Sequence, residues 1–243
     1  MVDDPEFLNL LAIDTSADQA ALGVRTKCGL EHVAQLPGSR RHGRDLVPRI
    51  RDLLAAAELK VSELDVVAVG LGPGSYTGLR IGLATARTLA YVTGAGLLGL
   101  DSLEAWARTA PVEARTIYVV ADAQRGDVYA AEFRREIVGG PLAVVSASHI
   151  EPLAQWVARL STVGIVLGPG LSSSRIKQVV PRELTIYGVE GEDLLKARGA
   201  GLLELAAEQW TAGRRDDLWM LEPNYLRRSA AEEAWDARDG GKP

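Results

Sequence analysis

Two spacings of apolar residues alternate along this chain and divide it into strands and helices. Leu8 to Ile13 is a compact apolar run with the length and composition of a buried strand. A polar turn follows, Asp14 to Asp18. Ala20 to Arg25 then reads as a second strand and His32 to Leu36 as a third, which together make an antiparallel meander. Pro37 to Gly43 is a basic, glycine-containing loop. From Arg44 to Leu59 the period lengthens: Leu46, Ile50, Leu53, Leu54 and Ala57 share one helical face. Pro48 falls in the first turn of that helix, where a missing N–H is tolerated. Val66 to Leu71 is a buried strand, the glycine loop Gly72-Pro73-Gly74-Ser75-Tyr76-Thr77-Gly78 follows, and Leu79 to Val92 is helical in composition.

The second half echoes this order. Thr116 to Ala121 is a strand, Asp122 to Asp127 a turn, and Val128 to Phe133 a returning strand. Trp156 lies in a helix, and Val163 to Leu167 is a strand ending in Leu167-Gly168-Pro169-Gly170, the same four residue types as Leu71-Gly72-Pro73-Gly74. Matching order around a matching loop predicts a duplicated α/β fold. Leu202 to Trp210 is a further helix. The halves divide as 1–100 and 101–228, with 229–243, charged and then glycine-rich, as a flexible tail.

Composition narrows the function classes. The chain has 243 residues, 47% of them apolar, enough for one large core or two smaller ones. Net charge is −5 with no basic stripe, so a stand-alone nucleic-acid binder is not expected and any RNA contact would be shared with a partner. Cys28 is the single cysteine, so there is no intrachain disulfide and a reducing compartment is expected. The acidic start Met1-Val2-Asp3-Asp4-Pro5-Glu6 does not resemble a secretory signal, and no segment has the unbroken apolar length to span a bilayer. A cytoplasmic location is the expectation.

The glycine loop is the segment with candidate chemistry. Between a buried strand and a helix, such a loop can present backbone N–H groups to an anion, and Ser75 and Thr77 add hydroxyls. It lacks the lysine of a Walker loop, and the spacing from Gly74 to Gly78 does not fit a dinucleotide fingerprint. A phosphate cradle and a tight turn with close helix packing both stay open. Gly78, Gly82, Ala86 and Ala90 recur every fourth residue as a smooth ridge flanked by Leu79, Leu83 and Leu89. The ridge can pack on this chain's own sheet, on a second protein, or on both. No Ser/His/Asp set is assignable, and His32, His42 and His149 are scattered without metal-ligand spacing. Asp14 and Asp122 open the two turns. They can act as turn caps or face each other across a cleft.

The segment from Ala68 through Gly72-Pro73-Gly74-Ser75-Tyr76-Thr77-Gly78-Leu79-Arg80 to Ala86 resembles the signature of the TsaB (YeaZ-like) family of tRNA threonylcarbamoyladenosine biosynthesis. Other segments are similar to that family: Leu11 to Ser16; Arg40, His42, Leu46 and Pro48; Asp122, Ala123, Arg125, Val128 and Tyr129; and Pro223-Asn224-Tyr225-Leu226-Arg227. Gly43 and Gln124 depart from it, where Ser and Arg are common. The resemblance spans roughly residues 8–228.

The resemblance implies an α/β, duplicated ribonuclease-H-like fold of the actin/hexokinase/Hsp70 (ASKHA) type with two subdomains. It implies a non-catalytic scaffold with TsaD and TsaE as partners, a homodimer when isolated, and tRNA reached only through the complex. No cofactor or metal is expected on this subunit, with metal and ATP on the partners. Ser102 and Trp106 stand where the related TsaD proteins carry their two metal histidines. The implied partner interface comprises Leu46, Ile50, Leu53, Leu54, Gly78, Leu79, Gly82, Leu83 and Ala86, so Leu53→Asp with Leu83→Asp is expected to break assembly without unfolding. A vestigial nucleotide site would use Asp14, Thr15, Ser16, Gly72, Gly74, Ser75 and Thr77. Two rival classes stand beside this reading: an ASKHA kinase or glycopeptidase-like metallopeptidase, and a structural homodimer with another client.

Overall fold

A computed structural model describes residues 8–36, 42–187 and 192–227, apart from the side chains of residues 42 and 192–196. Residues 37–41 of the loop expected before the first helix, Arg40 among them, and the tail expected at 229–243 lie outside the described residues, while His42 and Gly43, expected in that loop, open the first helix. The first sheet contains β1 (Leu10–Asp14), β2 (Ala20–Arg25), β3 (Glu31–Leu36), β4 (Val66–Gly70) and β5 (Gly96–Leu100), in the order β3-β2-β1-β4-β5. β1, β2 and β3 are antiparallel neighbours, and β4 and β5 extend β1 in parallel. The second sheet contains β6 (Thr116–Asp122), β7 (Asp127–Arg134), β8 (Ala143–Pro152), β9 (Ile165–Leu167) and β10 (Thr185–Ile186). Its order, β8-β7-β6-β9-β10, repeats the first with the same parallel and antiparallel pattern. This is the duplicated ribonuclease-H-like, ASKHA-type α/β fold.

Six helices cover the sheets among the described residues: α1 (His42–Ala56), α2 (Tyr76–Thr93), α3 (Ser102–Ala107), α4 (Leu153–Arg159), α5 (Ser174–Lys177) and α6 (Glu192–Thr211). The central strands β1, β4 and β6 are apolar on both faces because both are covered, and the period of two decides which layer each residue joins. Leu11 and Ile13 of β1, with Val67 and Val69 of β4, pack under α1 and α2 against Leu46, Ile50, Leu54 and Leu83. Their neighbours Leu10, Ala12, Val66 and Ala68 face the other way, onto Leu202, Leu203 and Leu205 of α6. In the second sheet Ile117 and Val119 join Leu103 and Trp106 of α3, while Tyr118 and Val120 join Trp156 and Ile176 on the outer side.

The helix α6 departs from division by chain position. Sequence order puts residues 101–228 in the second half, yet α6 packs on β1, β2 and β3 of the first sheet. Without it one face of that sheet would be bare, and burying Leu202, Leu203, Leu205 and Ala206 there, all 0% exposed, settles where the helix goes. Four elements were not expected: β5, α3, β8 and the two-residue β10. β5 carries two glycines in five residues and reads as loop. α3 is short, and β8 keeps much of its surface in water. The helix after the second glycine loop is also reduced, to the four residues of α5 against eighteen in α2.

Candidate functional site

The chain's two Asp turns and two glycine loops meet where the halves join. Asp14, at the end of β1, accepts a hydrogen bond from Ser16 N at 2.8 Å. Asp122, at the matching end of β6, accepts from Gln124 N at 2.7 Å. Each carboxylate therefore caps its own turn. The first glycine loop closes onto the first turn: Ser75 N donates to Ser16 O at 2.7 Å and Thr15 Oγ1 donates to Gly78 O at 2.6 Å. Ser75 also caps α2 through its own Oγ, which accepts from Gly78 N at 3.2 Å.

That contact explains the small residues. A Cβ on Gly74 would lie 2.2 Å from Ser16 O, one on Gly78 2.0 Å from Thr15 O, and one on Gly82 2.3 Å from Thr15 Oγ1. The ridge that opens α2 is thus a seat for the chain's own β1 turn. Of the residues expected at a vestigial nucleotide site, Asp14, Thr15 and Ser16 are buried, Gly72 N donates to Ser102 Oγ at 3.0 Å, and Thr77 is exposed. The structure brings Asp14, Thr15, Ser16, Gly74 and Ser75 together, but their polar groups are engaged with one another.

The charge of Asp14 is met from an unexpected quarter. Arg198 of α6, 184 residues away in sequence, donates from Nη2 to Asp14 Oδ2 at 3.2 Å, and the two side chains are 2% and 1% exposed. Arg198 Nη1 donates to Gln19 O at 2.8 Å, and its guanidinium lies 4.4 Å from the Trp106 ring centroid. Burial lowers the pKa of Arg198, and the Asp14 carboxylate works against that shift. Ser102, fully buried, accepts from Gly72 N and donates to Asp14 Oδ1 at 3.3 Å. Sequence reasoning missed Arg198. Its one signal is its place four and seven residues before Leu202 and Leu205, on the buried stripe of α6.

Ser102 and Trp106 do not form a metal-ligand set. The serine is spent between Asp14 and Gly72, and an indole nitrogen offers no lone pair. Among the described residues no three His, Cys, Asp or Glu side chains converge as metal ligands. His149 lies in β8 with Nε2 3.0 Å from Glu151 Oε1, His32 lies in β3, and the side chain of His42 is outside the described residues.

All nine residues expected at a partner interface are buried within this chain. Leu46, Ile50, Leu53, Leu54, Leu79, Leu83 and Ala86 are at most 6% exposed, and Gly78 and Gly82 are covered by Thr15. Leu53→Asp and Leu83→Asp therefore put carboxylates into the first core, and the expectation that they spare the fold is corrected. The free faces of the same helices carry Val47, Tyr91 and Val92, each at least 60% exposed.

A cavity of about 710 Å3 lies between the halves, with α3 at its floor through Leu103 and Trp106. Residues 223–227 cross it. Asn224 N donates to Leu71 O at 2.8 Å, Tyr225 Oη accepts from Arg80 Nε at 3.0 Å, and Arg227 pairs with Asp127. The C-terminal Pro-Asn-Tyr-Leu-Arg segment thereby ties α2 to the β6–β7 hairpin.

Asp101 starts α3, its Oδ1 accepting from Leu103 N at 2.8 Å and Glu104 N at 2.9 Å. Burial raises its pKa, so the folded state holds its proton more tightly than the unfolded chain does. The stability tied to that proton is fully present below the ordinary carboxylate range and is lost as pH rises through the raised value. At pH 7, Asp101→Asn keeps the acceptor without the buried charge and is expected to leave stability unchanged or raise it. Asp101→Ala is expected to cost about 1 kcal/mol. Urea titration of both variants tests this, and equal losses would contradict it.

Comparison with known proteins agrees with this architecture. Residues 37–235 match the family model described as TsaD: tRNA N6-adenosine threonylcarbamoyltransferase. The chain is 30% identical to the tRNA threonylcarbamoyladenosine biosynthesis protein TsaB of Bacillus subtilis, covering 94% of this chain and 98% of that one. It is 26% identical to TsaB of Escherichia coli K12, over 92% and 96% of the two chains. The solved structure of YeaZ from Pseudomonas aeruginosa superposes with a TM-score of 0.73 at 25% identity, over 90% of this chain and all of that one.

Proposed function

Because this chain belongs to the TsaB (YeaZ-like) family, we propose that it is a non-catalytic scaffold subunit in the threonylcarbamoylation of adenosine 37 of tRNAs that read codons beginning with A. It acts through a heterodimer with a TsaD-type subunit and assembly with a TsaE-type ATPase. The transfer chemistry, the metal and the ATP belong to those partners, and tRNA is reached through the complex. In isolation the chain pairs with a second copy. Its place is the cytoplasm, and no helix among the described residues is long and apolar enough to cross a membrane.

One observation carries the scaffold reading. Among the described residues Asp14 is engaged by Arg198 and Ser102, and Ser75 N and Gly78 O of the glycine loop by Ser16 and Thr15. A carboxylate neutralised by a buried guanidinium has little left to offer a cation, and a loop whose Ser75 N and Oγ are already engaged has fewer groups to offer an anion. What remains for α1 and α2 is their outward faces, and these are where we place the partner. Reconstitution with TsaD, TsaE and threonylcarbamoyl-AMP, with and without this chain, tests the reading. Modification of tRNA is expected to need the chain, and an equal rate in its absence would remove the proposal.

A further inference from the structure

Residues 222–227 form a strap between the halves, and it is lightly fastened. Among the described residues a single main-chain hydrogen bond ties it to the rest of the chain, from Asn224 N to Leu71 O. Side chains do the rest. Tyr225 Oη accepts from Arg80 Nε at 3.0 Å, and its ring lies 4.6 Å from that of Tyr76. Arg80 sits 4.2 Å over the Tyr76 ring and donates from Nη2 to Tyr76 Oη. Two residues on, Arg227 pairs with Asp127 and donates from Nη2 to Gln124 O at 3.4 Å. Arg227 Nε is buried with no hydrogen-bond partner among the described residues. One main-chain bond and an unsatisfied buried donor place the strap at the low-stability end of the structure.

The hairpin tip that Arg227 holds is itself strained. Gln124, Arg125 and Gly126, between β6 and β7, have φ of 66°, 52° and 98°. Only the third is glycine, so two side chains stand in the left-handed region that L-residues avoid. Such a conformation persists where its neighbours over-determine it. Asp122 and Leu153 restrain the tip from within the second half, through Gln124 N and Gly126 O. Arg227 is the restraint that the strap adds.

The other end of the strap meets Arg80, which stands on the exposed side of α2. We propose that residues 222–227 are a latch that reports docking on α2 to the tip of the β6–β7 hairpin. It is closed while Tyr76 and Tyr225 hold Arg80. A partner carboxylate that reaches Arg80 makes a charged, two-pronged pair that a phenol hydroxyl cannot match. Tyr225 then lets go, Arg227 loses its place on Asp127 and Gln124 O, and the tip relaxes. The latch rests on the proposal that the outward face of α2 takes a partner, and it adds a regulation of that face.

Amide exchange followed by NMR on the isolated full chain tests it, read at Gln124 N and Asp127 N, which bond Asp122 Oδ1 and Gln124 O within the tip. Arg227→Ala is expected to speed their exchange about tenfold, the scale of one lost charged hydrogen bond. Arg80→Ala is expected to do the same from the far end of the strap, with the amides of β1 and β4 unchanged. If Arg80→Ala does not fold, Tyr225→Phe, which removes only the Oη acceptor, is expected to speed them about threefold. Wild-type exchange at both amides in Arg227→Ala, or in a folded Arg80→Ala or Tyr225→Phe chain, overturns the proposal, and it is the result that a purely local packing role of Arg80 would give. In a second arm the TsaD-type subunit is added to the wild-type chain and is expected to speed the same two amides. Binding that leaves them slow overturns the latch and leaves the scaffold role standing. Absence of binding overturns the partner face on α2, and the latch with it.

Discussion

Replacing Gly78 by alanine is expected to destabilise the chain by about 3 kcal/mol or more. In an exposed helix the same change would stabilise by about 0.5–1 kcal/mol, because glycine is the poorer helix former. Here the added carbon would lie 2.0 Å from the backbone oxygen of Thr15. Neither side can easily yield. Gly78 is in the first turn of α2, held by the Ser75 cap, and Thr15 is held by its own hydroxyl bond to Gly78 O. Separating them would also part Ser75 N from Ser16 O and strain the seating of Gly74. Thr77→Ala, one residue earlier on the exposed side, is the control and should change stability by less than about 0.5 kcal/mol. Denaturant unfolding of the three proteins decides the matter. A Gly78→Ala protein as stable as wild type would mean that the ridge does not seat the β1 turn.

Arg198→Met is expected to lose about 3–5 kcal/mol, the penalty for leaving a buried carboxylate without its counter-charge. Met keeps much of the apolar stem but loses the guanidinium that lies over the Trp106 ring, so the loss reports the charge together with that stacking. The double variant Asp14→Asn with Arg198→Met is expected to recover a large part of that loss, because the uncompensated charge is then gone. Asp14→Asn alone leaves the guanidinium buried without its counter-charge, held only by Gln19 O and the Trp106 ring, and it should also be strongly destabilising. The pattern to look for in urea titrations is therefore non-additive, with the double variant above at least one single variant. Strictly additive losses would show that Asp14 and Arg198 do not depend on each other. Because Arg198 joins the first sheet to α3 under the second, its loss is also expected to speed amide exchange in α3.

Much of the fold was legible from local pattern. Ala20 to Arg25 is a strand with the expected bounds, and the runs beginning at Leu8, Val66 and Thr116 became β1, β4 and β6. The helical face of Leu46, Ile50, Leu53 and Leu54 is the buried face of α1. These succeed because a buried strand or an amphipathic helix writes its period into consecutive residues. β5 and β8 were not legible for the opposite reason. Gly-Leu-Leu-Gly-Leu is a strand only because β4 pairs with it, and β8 is set by β7, with bulges, while its apolar Val144 and Val145 stay exposed and mark no buried face.

The site divides along the same line. Two Asp turns and two Leu-Gly-Pro-Gly loops could be found in one reading of the chain, and with them the duplication and the family resemblance, because each is a local string with a local cause. Whether the Gly78–Ala90 ridge faced its own sheet or another protein could not be found that way, since a stripe of small residues permits close approach without naming what approaches. Only the tertiary structure decided that Thr15 and Ser16 occupy it, that Arg198 returns on α6 to neutralise Asp14, and that Tyr225 closes over the cleft. Those contacts join residues 63, 184 and 145 positions apart, and no periodicity carries information over such distances. The sequence by itself determined the elements and the duplication. The packing of the β1 turn onto α2, within the first half, determined what the glycine loop is for.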